Sequence, residues 1–141
     1  MLPYLQDKDL SSYDLNLEVQ IRTPQMGEEW HTLTRSNMKY LYYSVAQTIT
    51  HHSVTGCNMN TGDLLGSGTI SGPEKSGYGS MVELCWAGKE PIQLPNGEER
   101  KFLLDGDEVN MTGTAKGNGY TIGFGTCRGK VMPALDESHY F

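Results

Sequence analysis

A carboxylate set among apolar side chains, preceded by a run of small residues, is the feature of this sequence best suited to chemistry. In residues 62–86, GDLLGSGTISGPEKSGYGSMVELCW, Glu83 stands between Val82 and Leu84. A carboxyl group in such a setting must find a cation or hydrogen-bond donors, or hold a proton, and any of these makes it a candidate functional group. The alternation over residues 80–86 predicts a strand with Ser80, Val82, Leu84 and Trp86 on one face and Met81, Glu83 and Cys85 on the other. Residue type alone favours the plainer alternative, an edge strand whose Glu83 faces water.

The glycines before it invite a phosphate-loop reading, because glycine lets backbone N–H groups approach an anion. The run Gly66-Ser67-Gly68-Thr69-Ile70-Ser71-Gly72 fits neither nucleotide-binding spacing, and Pro73 follows where a helix should begin. What remains is that the backbone of Gly68 and the hydroxyl of Thr69 can donate to a carboxylate or carbonyl of a small ligand. Asp105-Gly106-Asp107-Glu108 crowds three carboxylates but lacks the register of a calcium loop, and reads as an acidic turn. No nucleophile-elbow sequence accompanies His31, His51, His52 or His139, so no Ser/His/Asp set can be assembled. His52 continues the apolar face of a predicted helix and can reach a pocket; alternatively it and His51 only meet the last helical carbonyls.

The whole chain sets limits. Its 141 residues fit one domain or a large piece of one, with no internal boundary over 1–141. A net charge of -6 without a Lys/Arg stripe argues against a nucleic-acid footprint or an anionic membrane surface. Cys57, Cys85 and Cys127 show no C-x-x-C spacing, which suggests reduced thiols rather than a zinc knuckle. The sequence MLPYLQDKDL has neither a basic nor an apolar targeting segment, and no apolar run is long enough to span a bilayer. A soluble, cytoplasmic protein is expected, in which the sequon at Asn110 carries no meaning.

The elements that must position these groups are mainly β, an α+β pattern. Residues 13–22 alternate as a half-buried strand, Met26-Gly27 reads as a turn, and residues 30–34 pair back. One amphipathic helix is expected over about 36–52, opened by Ser36 or Asn37 and carrying Met38, Leu41, Tyr42, Val45, Ala46 and Ile49 on one face. Gly56 is the expected stop. Asn96-Gly97 and Asn118-Gly119 predict hairpins, and Gly106-Asp107 predicts a sharp entry into a strand over residues 108–114. Residues 128–135 read as an extended tail and residues 136–141 as frayed.

From Leu2 to Leu135 the sequence resembles the fumarylacetoacetase family. The resemblance rests on SNMKYLYYSVAQTITHHSVTGCN, GDLLGSGTISGPE, GSMVELCWAGKEPIQLPNGEERKFLLDGDEV and GYTIGFGTCRGKVMPA. Smaller relatives that hydrolyse acylpyruvates, or that isomerise or decarboxylate, carry a TGTP version of the loop where SGTISGPE stands here. The resemblance implies a mixed β-sandwich roll, of which this chain holds an incomplete part. It also implies a Mg or Ca ion, a diketo-acid substrate, hydrolysis to fumarate and acetoacetate, and a homodimer. By position Glu83 matches the glutamate that orients the family's histidine base, while Thr69 with Gly68 matches a substrate-binding loop. The family's metal carboxylates, base histidine and remaining substrate-holding residues lie upstream of the matched segment. None of the four histidines here is expected to be that base, and none of the Asp or Glu residues to be a metal ligand. The alternatives are another chemistry of the same family, or a non-catalytic β fragment that acts as a binding module.

Overall fold

The structure is a computed structural model that describes residues 1–8 and 12–139. Period-two alternation produces its centre. β1 (Asn16–Arg22) pairs antiparallel with β2 (His31–Asn37) and with β5 (Glu108–Lys116), and β5 turns back into β6 (Thr121–Lys130). The four-stranded sheet has the order β2-β1-β5-β6. Ile21 opposite Val109 and Val19 opposite Met111 align the apolar positions of the two central strands on one face. Glu18, Gln20 and Arg22 alternate onto the other, where Gln20 accepts from Asn110 and Glu18 accepts from Arg35 and Gln20. A bulge between Val19 and Gln20 resets the β1–β2 register.

Both hairpin expectations hold. Gly119, at φ 79, follows Asn118 in the β5–β6 connection, and Gly97, at φ 85, sits in the turn of a small ribbon. That ribbon joins β3 (Ile92–Gln93) to β4 (Glu99–Arg100). Only glycine takes such left-handed angles without steric cost. Met26-Gly27 forms the expected turn, with Gly27 at φ 63. Residues 136–139, expected to fray, include a 3-10 turn, Glu137–His139; residues 140 and 141 lie outside the described residues.

The helix is shorter than expected. Ser36 and Asn37 belong to β2, paired with Leu17 and Asn16, and the Asn37 amide donates to Asp14 at 2.6 Å. Its side chain then caps only a 3-10 turn, Met38–Tyr40. α1 spans Val45–Ser53 and begins at Ser44 with a capping box: Gln47 N–H donates to Ser44 Oγ, and Ser44 N–H donates to Gln47 Oε1. The sheet ladder takes the first cap candidates away, so the helix starts at the next residue able to cap it. It ends as expected, with Gly56 at φ 87 donating to the Ser53 carbonyl.

Residues 80–86 are not a strand. Ser80 caps one helical turn, α2 (Met81–Leu84), and the left-handed Trp86, Ala87 and Gly88 follow it. Leu84 and Cys85 are buried while Val82 and Trp86 are exposed, a helical rather than an alternating pattern. The Ser80 hydroxyl offers the Glu83 N–H a local partner, and the left-handed residues would break any ladder.

Among the described residues the fully apolar core is small: Leu5, Ile21, Leu84, Cys85 and Leu94. Charged groups supplement it. Asp107 is completely buried and receives Arg100 through two bonds, Nε at 2.8 Å and Nη2 at 3.1 Å, plus the Leu104 N–H at 2.9 Å. Arg22 is also buried, binds Glu28 and Glu108, and lies 4.9 Å from the Trp30 ring centre. Large apolar side chains stay exposed along β6 and its turn, among them Tyr120, Ile122 and Phe124.

Candidate active site

Glu83 is the third residue of α2, half-buried, with its carboxylate turned onto hydroxyls. The Ser80 hydroxyl lies 2.8 Å from Oε2, and the Ser71 hydroxyl lies 2.8 Å from each carboxylate oxygen. Among the described residues no cation pairs with it. The Ser80 and Ser71 hydroxyls, followed by the Ser80 and Gly79 backbone, hold the carboxyl below its ordinary value against the opposing effect of burial. Glu83 is thus ionised without a counter-charge, and is placed to accept a donor without neutralising it.

The segment bearing Ser71 is tied to the sheet. Thr34 of β2 donates to the Ser76 carbonyl at 2.9 Å, and Gly72 N–H donates to the Gly77 carbonyl at 2.8 Å. Gly77 is buried against β2, where an added Cβ would sit 3.2 Å from the Arg35 carbonyl oxygen. Gly79 is tighter still: a Cβ there would lie 2.7 Å from both the Ile70 carbonyl oxygen and Thr69 Cγ2. Residues 69–71 therefore cross directly over the start of α2. Gly79→Ala is expected to destabilise the chain by about 1–3 kcal/mol, because the opposing atom is backbone and cannot rotate away. Urea unfolding would check this; an unchanged midpoint at constant m would show that the contact is not sustained.

Gly68 and Thr69 enter this cluster from an exposed segment. Gly68 has φ 76 with open space around it, and Thr69 is exposed while its methyl rests on Gly79. Thr69, Ser71, Gly79, Ser80 and Glu83 thus form one local unit. The spacing Ser80-x-x-Glu83 is a capping-box signature that signals the helical turn directly. No sequence signal marks Ser71, which reaches Glu83 across 12 positions of chain.

The histidines lie elsewhere. His51 Nδ1 is 3.1 Å from the Tyr4 hydroxyl, and His52 Nε2 is 3.3 Å from Cys57 Sγ. His52 lines a cleft of about 300 Å³ with Cys57, Asp63 and Leu65. His31 is in β2 and His139 in the final 3-10 turn. Among the described residues no group of three or more His, Cys, Asp or Glu could hold a metal ion, and no helix is long and apolar enough to cross a membrane. Two of the three carboxylates of the acidic turn are occupied, Asp107 by Arg100 and Glu108 by Arg22 and Arg128.

A mainly antiparallel β framework, one capped helix and a hydroxyl-held glutamate beside a glycine-rich segment define the class, and comparison with known sequences supplies the family. The family described as fumarylacetoacetate (FAA) hydrolase C-terminal matches residues 3–132, so the chain belongs to it. It is 55% identical over 134 residues to the fumarylacetoacetase of Homo sapiens, covering 95% of this chain and 32% of that protein. Against the fumarylacetoacetase of Dictyostelium discoideum it is 50% identical over 135 residues, covering 94% and 31%. For that of Arabidopsis thaliana the figures are 49% over 133 residues, 94% and 31%. The chain spans about a third of the length of these curated relatives.

Proposed function

We propose that this chain supplies part of the active site of a fumarylacetoacetase, the hydrolase that cleaves a carbon–carbon bond of 4-fumarylacetoacetate to give fumarate and acetoacetate, the last step of tyrosine and phenylalanine catabolism. The observation that carries this reading is the identity of 49–55% over nearly the whole chain to proteins of that name. Residues 1–141 are one unit of the catalytic domain, and other segments of a longer polypeptide supply the rest of the site.

Glu83 is assigned the orienting role. Its ionised carboxylate accepts the N–H of a histidine from another segment, which fixes the imidazole tautomer and stabilises the imidazolium that forms when the other ring nitrogen takes a proton from water. The hydroxide adds to the carbonyl carbon, the carbon–carbon bond breaks, and its electron pair leaves on acetoacetate as an enolate that is then protonated. The Gly68 N–H and the Thr69 hydroxyl donate to substrate oxygens, a role their exposure and the open space beside Gly68 support. Mg or Ca is the proposed cofactor. The described residues offer no cluster to hold it, so its ligands are assigned to other segments and no step given to this chain passes through it.

The test is the metal-dependent loss of the diketone absorbance of 4-fumarylacetoacetate, with acylpyruvates as competing substrates. Hydrolysis of the first by the complete polypeptide, and none by residues 1–141 alone, is expected. Turnover by the 141 residues would overturn the partial-site reading, and preference for acylpyruvates would overturn the substrate.

A cytoplasmic homodimer is proposed as the working form. Every residue of β6, an edge strand, is exposed, and a long edge with Ile122 and Phe124 beside it favours pairing. Sedimentation of the chain is expected to show dimers or larger species, and a stable monomer would count against this.

A further inference from the structure

We propose that Ser71 is a positioning residue that couples the Gly68–Thr69 segment to the Glu83 carboxylate. This rests on the functional reading above and deepens it at the same site. A hydroxyl has one proton to give and two lone pairs to receive. Gly79 N–H occupies one lone pair of Ser71 at 3.1 Å, and the proton faces the carboxylate, whose two oxygens are each 2.8 Å away. Gly79 is also the residue against which the Thr69 methyl and the Ile70 carbonyl pack, with no room for a Cβ. Ser71 is thus wedged between α2 and the segment carrying Thr69, only two residues from it.

Ser80 is bound differently. It receives the Glu83 N–H at 3.3 Å and gives its proton to Oε2, so both its bonds belong to the start of α2. Ser71 alone of the two hydroxyls lies on the segment proposed to meet substrate. A ligand that draws on Gly68 and Thr69 shifts residues 69–71 against Gly79, and this changes the bond that Ser71 gives to Glu83. Substrate engagement and the charge state of Glu83 are then linked, and the link is reciprocal.

Charged groups on the neighbouring elements leave the Ser71 and Ser80 hydroxyl bonds as the interactions that govern Glu83, and of the two only the Ser71 bond connects to the Gly68–Thr69 segment. Lys75 pairs with Glu90 at 2.6 Å, Arg35 pairs with Glu18 at 2.7 Å, and Glu74 precedes Lys75 on the exposed part of the segment. None of them bonds to Glu83, whose side-chain partners among the described residues are the hydroxyls of Ser71 and Ser80.

The experiment is a carboxyl-carbon NMR titration of Glu83 in the complete enzyme, with and without fumarate and acetoacetate, alongside kcat and KM profiles against pH. In the unmodified protein, ligand is expected to move the Glu83 midpoint. In Ser71→Ala the midpoint rises toward the ordinary glutamate value and stops responding to ligand. In the same variant kcat falls roughly 10–100-fold, a smaller loss than removing the carboxylate causes, while KM changes little. Ser71→Thr keeps the hydroxyl and restores both readouts. A midpoint in Ser71→Ala that equals the unmodified one, or that still moves with ligand, overturns the coupling. If Ser71→Ala does not fold, Ser71→Cys fills the same place with a weak donor and must show the same direction of change. The titration needs no turnover, so an unchanged kcat in Glu83→Gln would sink the catalytic reading while leaving the coupling to be decided by the midpoints.

Discussion

Replacing Glu83 with Gln in the complete enzyme is expected to lower kcat roughly 10²–10⁴-fold, the range for lost acid/base assistance. The substitution is close to isosteric, and the amide can still accept from the Ser71 and Ser80 hydroxyls. What it loses is the negative charge, and with it the stabilisation of an imidazolium proposed above. Its cost therefore falls mainly on the rate, and circular dichroism should show a melting curve lowered only slightly near neutral pH, by the charge-assisted part of those hydroxyl bonds. The pH dependence follows from the hydroxyl bonds that depress the Glu83 pKa. A depressed carboxyl adds stability above its unfolded value, and that stability is lost as pH falls through its folded value. The catalytic contribution proposed for Glu83 is likewise expected at neutral pH and lost only below the ordinary glutamate range. An acid limb above that range would have to come from another group, and its survival in Glu83→Gln would show as much. A rate unchanged by the substitution would remove Glu83 from the mechanism.

The sheet was legible in the sequence because its signals are local. Leu17, Val19 and Ile21 alternate in β1, and Asn96-Gly97 and Asn118-Gly119 impose turn geometry that nearby residues cannot override. The start of α1 was not, because Asn37 is as good a cap as Ser44 until the Asp14 and Asn16 side chains claim it from elsewhere in the chain. Residues 80–86 misled for a related reason. Over seven residues an alternating pattern and one helical turn look alike, and the deciding feature is a hydroxyl bond at residue 80. At the site, the apolar setting of Glu83 and the small polar run at Gly68 and Thr69 mark the candidates, and the family resemblance implies their roles. The Ser71 hydroxyl and the clearance at Gly79 arise only when residues 69–71 fold across α2, so their types alone carried no signal among 17 glycines and many serines.

Asp107→Asn should produce the largest loss of stability, about 3–5 kcal/mol, the cost of breaking a buried ion pair from one side. Asp107 is fully buried, and its two oxygens receive Arg100 Nε, Arg100 Nη2 and the Leu104 N–H. An Asn side chain keeps one acceptor oxygen and turns an NH₂ donor toward a guanidinium that has only donors to offer. Arg100 is itself buried and keeps a single carboxylate, Glu98, at 3.1 Å. Because Asp107 directly precedes β5 and its carbonyl accepts the Val131 N–H just beyond β6, the damage spreads into the central hairpin. Burying the pair also carried a desolvation cost, so removing both partners should be far milder than removing one: Arg100→Met with Asp107→Leu is expected to recover most of the lost stability. A double-mutant cycle by urea denaturation reads both values. If Asp107→Asn alone unfolds no earlier than the parent chain, the pair does not hold the β3–β4 ribbon to the sheet, and the small apolar core must do so without it.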